Sequence, residues 1–192
     1  MPRIIFKELD KTRLHYEAAL KRVGKNEAKR AFTRALNSEG RKMRTQVKRA
    51  LNRQTGIKMG MISAGITTRP ASTATLTFRV IGTGKETPLS LFNPTVAGSR
   101  TTGRGKASKK VGGGIKASPW RVRRLFAGAF FPGKAGGNVF HRLGSTRYPI
   151  EPMYGPSIAK ELVKDQSRAV WERAQPAVLA EATRQIARML VV

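Results

Sequence analysis

The sequence contains no cysteine and only two histidines, His15 and His141. The first absence excludes disulfides and thiolate metal sites. The second leaves metal ligation and histidine general-base chemistry without a constellation, because the two histidines fall in separate segments with no carboxylate pattern beside them. Acids are scarce: 11 Asp plus Glu stand against 38 Lys plus Arg, a formal net charge of +27. Residues 87–150 hold no carboxylate at all, so a paired acid/base site has no material there. Aromatic residues make up 7% and mostly fall at core-phase positions, which offers no stacking platform for single-stranded nucleic acid. No apolar run approaches the roughly 18 residues of a spanning helix, and residues 1–7 lack the apolar centre of a signal peptide. These absences predict a protein made in the cytoplasm, without catalytic activity, cofactor, metal or membrane partner.

What is present suffices for a core. At 192 residues and 40% hydrophobic content, one domain spanning 1–192 is expected. Self-repulsion among the excess cations disfavours a compact isolated subunit and favours anionic partners. The first 62 residues read as helical. Residues 7–23 carry Leu9, Leu14, Ala18 and Val23 at helical spacing, and from Asn26 the pattern sharpens through Ala28, Phe32, Leu36, Met43, Val47 and Leu51, with Gly40 in the same stripe. Lys29, Arg30, Arg34, Arg41, Lys42, Arg44, Lys48 and Arg49 fill much of the remaining circumference. Such a face either contacts phosphates or is solvated, its stems covering apolar surface; the solvated face is preferred here.

Residues 63–155 read as a sheet. Leu76, Phe78 and Val80 alternate with Thr75, Thr77 and Arg79 in a predicted strand over 73–81, and Leu89 to Phe92 suggests a second before Pro94. Residues 98–114 offer almost nothing to bury, so a long mobile basic arm is predicted, with Arg100, Arg104, Lys106, Lys109 and Lys110 as its contacts to a partner or to DNA. Residues 115–124 re-enter the sheet, with Trp120, Val122 and the later Phe126 as candidates for burial. From 156 onward Ile158, Leu162, Val163, Val170 and Trp171 form an apolar stripe. Gln175-Pro176 breaks or restarts the helix, which Val178, Leu179, Ala182, Ile186, Met189 and Leu190 continue, so a helix pair or one kinked helix is predicted to pack on the sheet.

The central stretch organises the rest. Apolar runs at 125–131 and 139–143 flank Pro132-Gly133-Lys134-Ala135-Gly136-Gly137-Asn138, which predicts a β-hairpin with a long loop. The prolines at 149, 152 and 156 then confine the chain to an edge strand or an extended exit. Gly128 to Lys134 has the spacing of a phosphate-binding P-loop, but Ala135 stands where the mechanism needs Ser or Thr to hold magnesium, and no helix follows. Ser145 and Ser157 occupy turn and cap positions without a nucleophile elbow.

Gly128-Ala129-Phe130, Val139-Phe140-His141-Arg142, Arg147-Tyr148-Pro149-Ile150, Gly155-Pro156-Ser157 and the helical C-terminus together resemble the prophage minor tail protein Z family of long-tailed phages. On that resemblance Gly128, Phe130, Arg147, Tyr148, Pro149 and Pro156 form a structural motif. The fold is expected to be α+β, an antiparallel sheet packed by N-terminal and C-terminal helices and carrying the basic arm. The resemblance implies a structural virion component at the head-proximal end of the tail, needed to complete the tail and join it to the head. By analogy with related neck and tail-completion proteins, whose rings are usually six-fold, it implies a self-assembled six-fold ring touching other tail or neck proteins and the end of the genome DNA. A basic nucleic-acid-binding protein is the alternative.

Overall fold

A computed structural model describes residues 3–5, 21, 24–98, 100–102, 109–111, 113–132 and 137–190. The fold class is α+β. The chain divides into two compact units: the described parts of residues 1–51, 59–84 and 158–192, and of residues 52–58 and 85–157. Each is taken by itself. Most of the helix expected over residues 7–23 lies outside the described residues.

The first unit is built on α1 (Lys25–Thr55), whose last turn belongs to the second unit. Its predicted stripe is the core face: Ala28, Phe32, Met43, Val47 and Leu51 are buried and Leu36 half-buried. The helices α2 (Met59–Gly65), α3 (Ile158–Leu162) and α4 (Asp165–Leu190) belong to the same unit. So does an antiparallel sheet with the order β1 (Arg3–Ile5), β3 (Arg79–Gly82), β2 (Ile66–Arg69). Phe32, Ala28 and Ala35 of α1 pack with Ala182 of α4, and Leu76 and Ile186 close the cluster. Small residues bring the layers together. A Cβ on Gly65 would meet the Ile158 side chain at 2.7 Å, and one on Gly82 would meet Leu162 at 3.0 Å, so α3 lies directly on the backbone of α2 and β3.

Local chemistry decides two expectations here. The strand expected over 73–81 is confined to β3, because Ser72 and Thr75 satisfy each other's amides instead: the Thr75 amide donates to Ser72 Oγ at 3.1 Å and the Ser72 amide to Thr75 Oγ1 at 3.2 Å. Short hydroxyl residues that bond neighbouring backbone compete with a ladder in this way. Of the helix pair or single helix expected around Gln175-Pro176, the structure has a single helix: α4 passes through Pro176, and the chain leaves helix earlier, at Val163-Lys164. Pro176 is exposed, so the carbonyl it leaves unpaired four residues earlier can bond water.

The second unit consists of short ladders. β4 (Glu86–Pro88) pairs with β12 (Tyr154–Ser157), β10 (Phe140–Arg142) with β11 (Ile150–Pro152), and β8 (Gly114–Ala117) lies between β5 (Thr95–Ala97) and β9 (Arg124–Ala127). A further pair, β6 (Arg100–Thr102) with β7 (Lys109–Val111), lies in the segment expected to be an irregular arm. Strands are thus spread over several small sheets. The predicted hairpin between 125–131 and 139–143 reduces to one bridge, Phe130 to Phe140; β9 takes β8 as its partner and β10 takes β11. Leu89–Leu91 is a turn of 310 helix, not a strand. Trp120 and Val122 remain exposed, and the buried residues of that stretch are Ile115, Ala117 and Pro119.

Candidate functional site

Of the predicted motif residues, Gly128, Arg147, Tyr148 and Pro149 are exposed, Phe130 is half-buried and Pro156 is buried. Of the five arm residues, Arg100 sits on β6 and Lys109 and Lys110 on β7, in a register that sets Arg100 opposite Val111, Thr101 opposite Lys110 and Thr102 opposite Lys109. The ladder brings these three together. Arg104 and Lys106 lie outside the described residues.

The six motif residues hold the second unit's turns. Gly128 has φ +71 with open space at its missing Cβ, so the backbone conformation and not crowding asks for glycine. Its amide donates to the Gly113 carbonyl at 3.1 Å, extending the β8–β9 ladder by one bond. Phe130 bridges Phe140, and the Arg142 guanidinium lies 4.3 Å above the Phe130 ring. Arg147, Tyr148 and Pro149 end the loop of the β10–β11 hairpin, which the Leu143 amide closes by donating to the Pro149 carbonyl at 3.3 Å. The Tyr148–Pro149 peptide is cis, and Thr146 Oγ1 donates to the Tyr148 carbonyl. Tyr148 itself is 64% exposed, with Arg147 over its ring. Pro156 is buried in β12, inside a register shift between Tyr154 and Ser157. A bulge is where a strand tolerates a residue that cannot donate to the ladder.

Sequence reasoning missed two features of this unit. The first is Arg121, which bonds the end of α1: its Nη2 donates to Asn52 Oδ1 at 2.9 Å and its Nε to the Asn52 carbonyl at 3.3 Å. Asn52 Nδ2 in turn donates to the Ile57 carbonyl at 2.7 Å, and Gly56, at φ +76, turns the chain out of the helix. Arg121 and its neighbour Trp120 both have positive φ, at 56 and 52, which no local pattern announces. The second is exposed apolar surface: Val96, Val122, Leu125, Leu143 and Tyr154 are each about half exposed or more, and all belong to residues 85–157.

The chemistry such surfaces permit is association. Among the described residues, no group of three or more His, Asp or Glu stands close enough to hold a metal ion. His141 lies on β10 opposite Glu151, half-buried, its Nδ1 buried without a hydrogen-bond partner among the described residues. No helix among the described residues is long and apolar enough to cross a membrane.

Comparison with protein families matches the chain to prophage minor tail protein Z (GPZ) over residues 17–192. The chain belongs to that family. It is a phage minor tail protein, a structural component of the virion that works among other tail proteins. The motif residues Gly128 to Pro156 all fall inside the matched span. No curated protein and no solved structure matches the chain significantly.

Proposed function

We propose that this tail protein is made in the host cytoplasm and completes the head-proximal end of the phage tail, assembling there as a ring and making the tail competent to join the head. Six-fold symmetry is the expectation by analogy with other neck and tail-completion components. The observation that carries the reading, beside family membership, is the concentration of exposed apolar side chains on a unit of three- and four-residue strands. Short sheets with open edges and apolar rims are material for subunit contacts. Head-to-tail contacts between different patches of identical subunits close into rings. The arm residues Arg100, Arg104, Lys106, Lys109 and Lys110 and the motif at Arg147, Tyr148 and Pro149 serve as contacts to neighbouring subunits, neck proteins or the genome end.

The experiment is complementation. Tails assembled with Leu125→Arg plus Val96→Asp should fail to join heads, and the purified variant should sediment as a monomer while melting within a few degrees of wild type. Normal head joining by that variant, or a strictly monomeric wild-type protein on finished tails, would overturn the ring.

A further inference from the structure

The strongest unexplained feature is a line of cations on α1. At 3.6 residues per turn, Arg30, Arg34, Arg41, Arg44 and Lys48 fall within about 80° of one another around the helix and extend over about 27 Å of its length. Arg30, Arg34 and Arg41 are exposed, Arg44 and Lys48 half-exposed. None of the five makes an ion pair among the described residues, although other cations of this unit find carboxylates in the pairs Glu39–Lys42, Glu161–Lys164, Arg168–Glu172 and Glu181–Arg184. Among the described residues, Arg44 Nε is buried with no hydrogen-bond partner, and Lys48 Nζ donates to Ser63 Oγ, at 3.2 Å. Like charges three and four residues apart destabilise a helix that nothing neutralises. Burial and the nearby Arg44 charge both hold the Lys48 pKa below the ordinary lysine range, in keeping with cations crowded without a counter-ion.

What lies between the cations identifies the partner. The one other position within that arc between Arg30 and Lys48 is Asn37, whose side-chain amide is tied to the Ala71 backbone, and none of the large apolar side chains left exposed on the described surface belongs to α1. An acidic protein partner would need an apolar or aromatic anchor at the centre of the contact. A phosphate backbone needs none: Arg and Lys are the groups that neutralise phosphate oxygens. We infer that the Arg30–Arg34–Arg41–Arg44–Lys48 line of α1 is a track for the phosphate backbone of duplex DNA, for a tail protein the phage genome. The inference rests on family membership and not on the ring or on head joining.

The test uses the full chain and a fluorescein-labelled 25-base-pair duplex of arbitrary sequence, titrated from low to physiological salt. Three proteins are compared: wild type, a track variant (R30Q, R34Q, R41Q, R44Q, K48Q) and an arm variant of equal charge (R100Q, R104Q, K106Q, K109Q, K110Q). Wild-type log affinity should fall linearly with log salt, and each lost contact should flatten the slope by about 0.9. The track variant should bind at least tenfold more weakly than the arm variant. It should also melt at or above the wild-type temperature, because repulsion is relieved; a solvated face whose stems cover apolar surface would lose stability. Should the track variant not fold, R30Q, R34Q, R41Q is compared with R100Q, R104Q, K106Q on the same terms. Equal weakening in both variants, no duplex binding by wild type, or binding to polyglutamate as tight as to DNA would each overturn the assignment.

Discussion

Gly40 of α1 lies flat against the Phe78 ring: a Cβ at that position would stand 2.6 Å from the ring carbons. The ring is 2% exposed, so it has little room to retreat. Two tendencies oppose each other at this site. Alanine is the better helix former by about 1 kcal/mol, while forcing a methyl into a filled core costs about 1 to 3 kcal/mol. Gly40→Ala is therefore expected to destabilise, seen as a lower denaturation midpoint in urea. A raised midpoint would mean the ring can yield.

The same helix permits a paired comparison. Phe32 is 4% exposed and packs on Ala182 and Ile186, so Phe32→Ala should cost about 3 to 5 kcal/mol. Arg34, two residues on and exposed on the opposite face, should be within about 0.5 kcal/mol of neutral when changed to alanine. Equal effects at the two positions would show that the stripe is not the core face.

The Arg121–Asn52 contact fixes how α1 ends. Asn52→Ala removes the acceptor of Arg121 Nη2 and the donor to the Ile57 carbonyl, and about 1 to 2 kcal/mol should be lost. Arg121→Ala should lose less, since it is exposed. In a double-mutant cycle the two should be non-additive; strict additivity would show that the bonds are not formed together in solution.

Lys48 yields a pH signature. Its folded-state pKa is lowered, first by burial and second by Arg44, so its positive charge opposes folding at neutral pH. That cost is fully present below the folded pKa and disappears as pH rises through the unfolded lysine value, about 10.4. Lys48→Met, which keeps the stem, should raise the melting temperature at pH 7, and the gain should shrink toward pH 10.5. A gain that does not vary with pH would assign the effect to packing.

Tyr148 separates assembly from folding. With 64% of its surface exposed, Tyr148→Ala should leave melting almost unchanged. Any defect should appear in tail joining alone, measured by plaque complementation. A large loss of melting temperature would place the ring in a core contact.

Much of this protein was legible as sequence. Helical periodicity from Ala28 to Leu51 names the buried face of α1, because a 3.6-residue repeat sets side chains on one side whatever lies opposite. Composition likewise marks residues 87–150 as acid-free and the whole chain as cationic, and the glycine, proline and strand pattern from Gly128 to Ser157 carries the family resemblance. Tertiary structure decided the pairings. Asn37 Oδ1 accepts from the Ala71 amide at 2.8 Å and Nδ2 donates to the Ala71 carbonyl at 3.0 Å, a clamp across 34 residues that no local pattern reveals. β9 chose β8 over the next apolar run because a strand's partner depends on which ladder closes with every backbone group matched, a property of the assembled sheet and not of the strand. Whether the cations of α1 meet carboxylates was equally undecidable from spacing, since ion pairing depends on what the fold brings alongside; the fold leaves Arg30, Arg34, Arg41, Arg44 and Lys48 without one among the described residues.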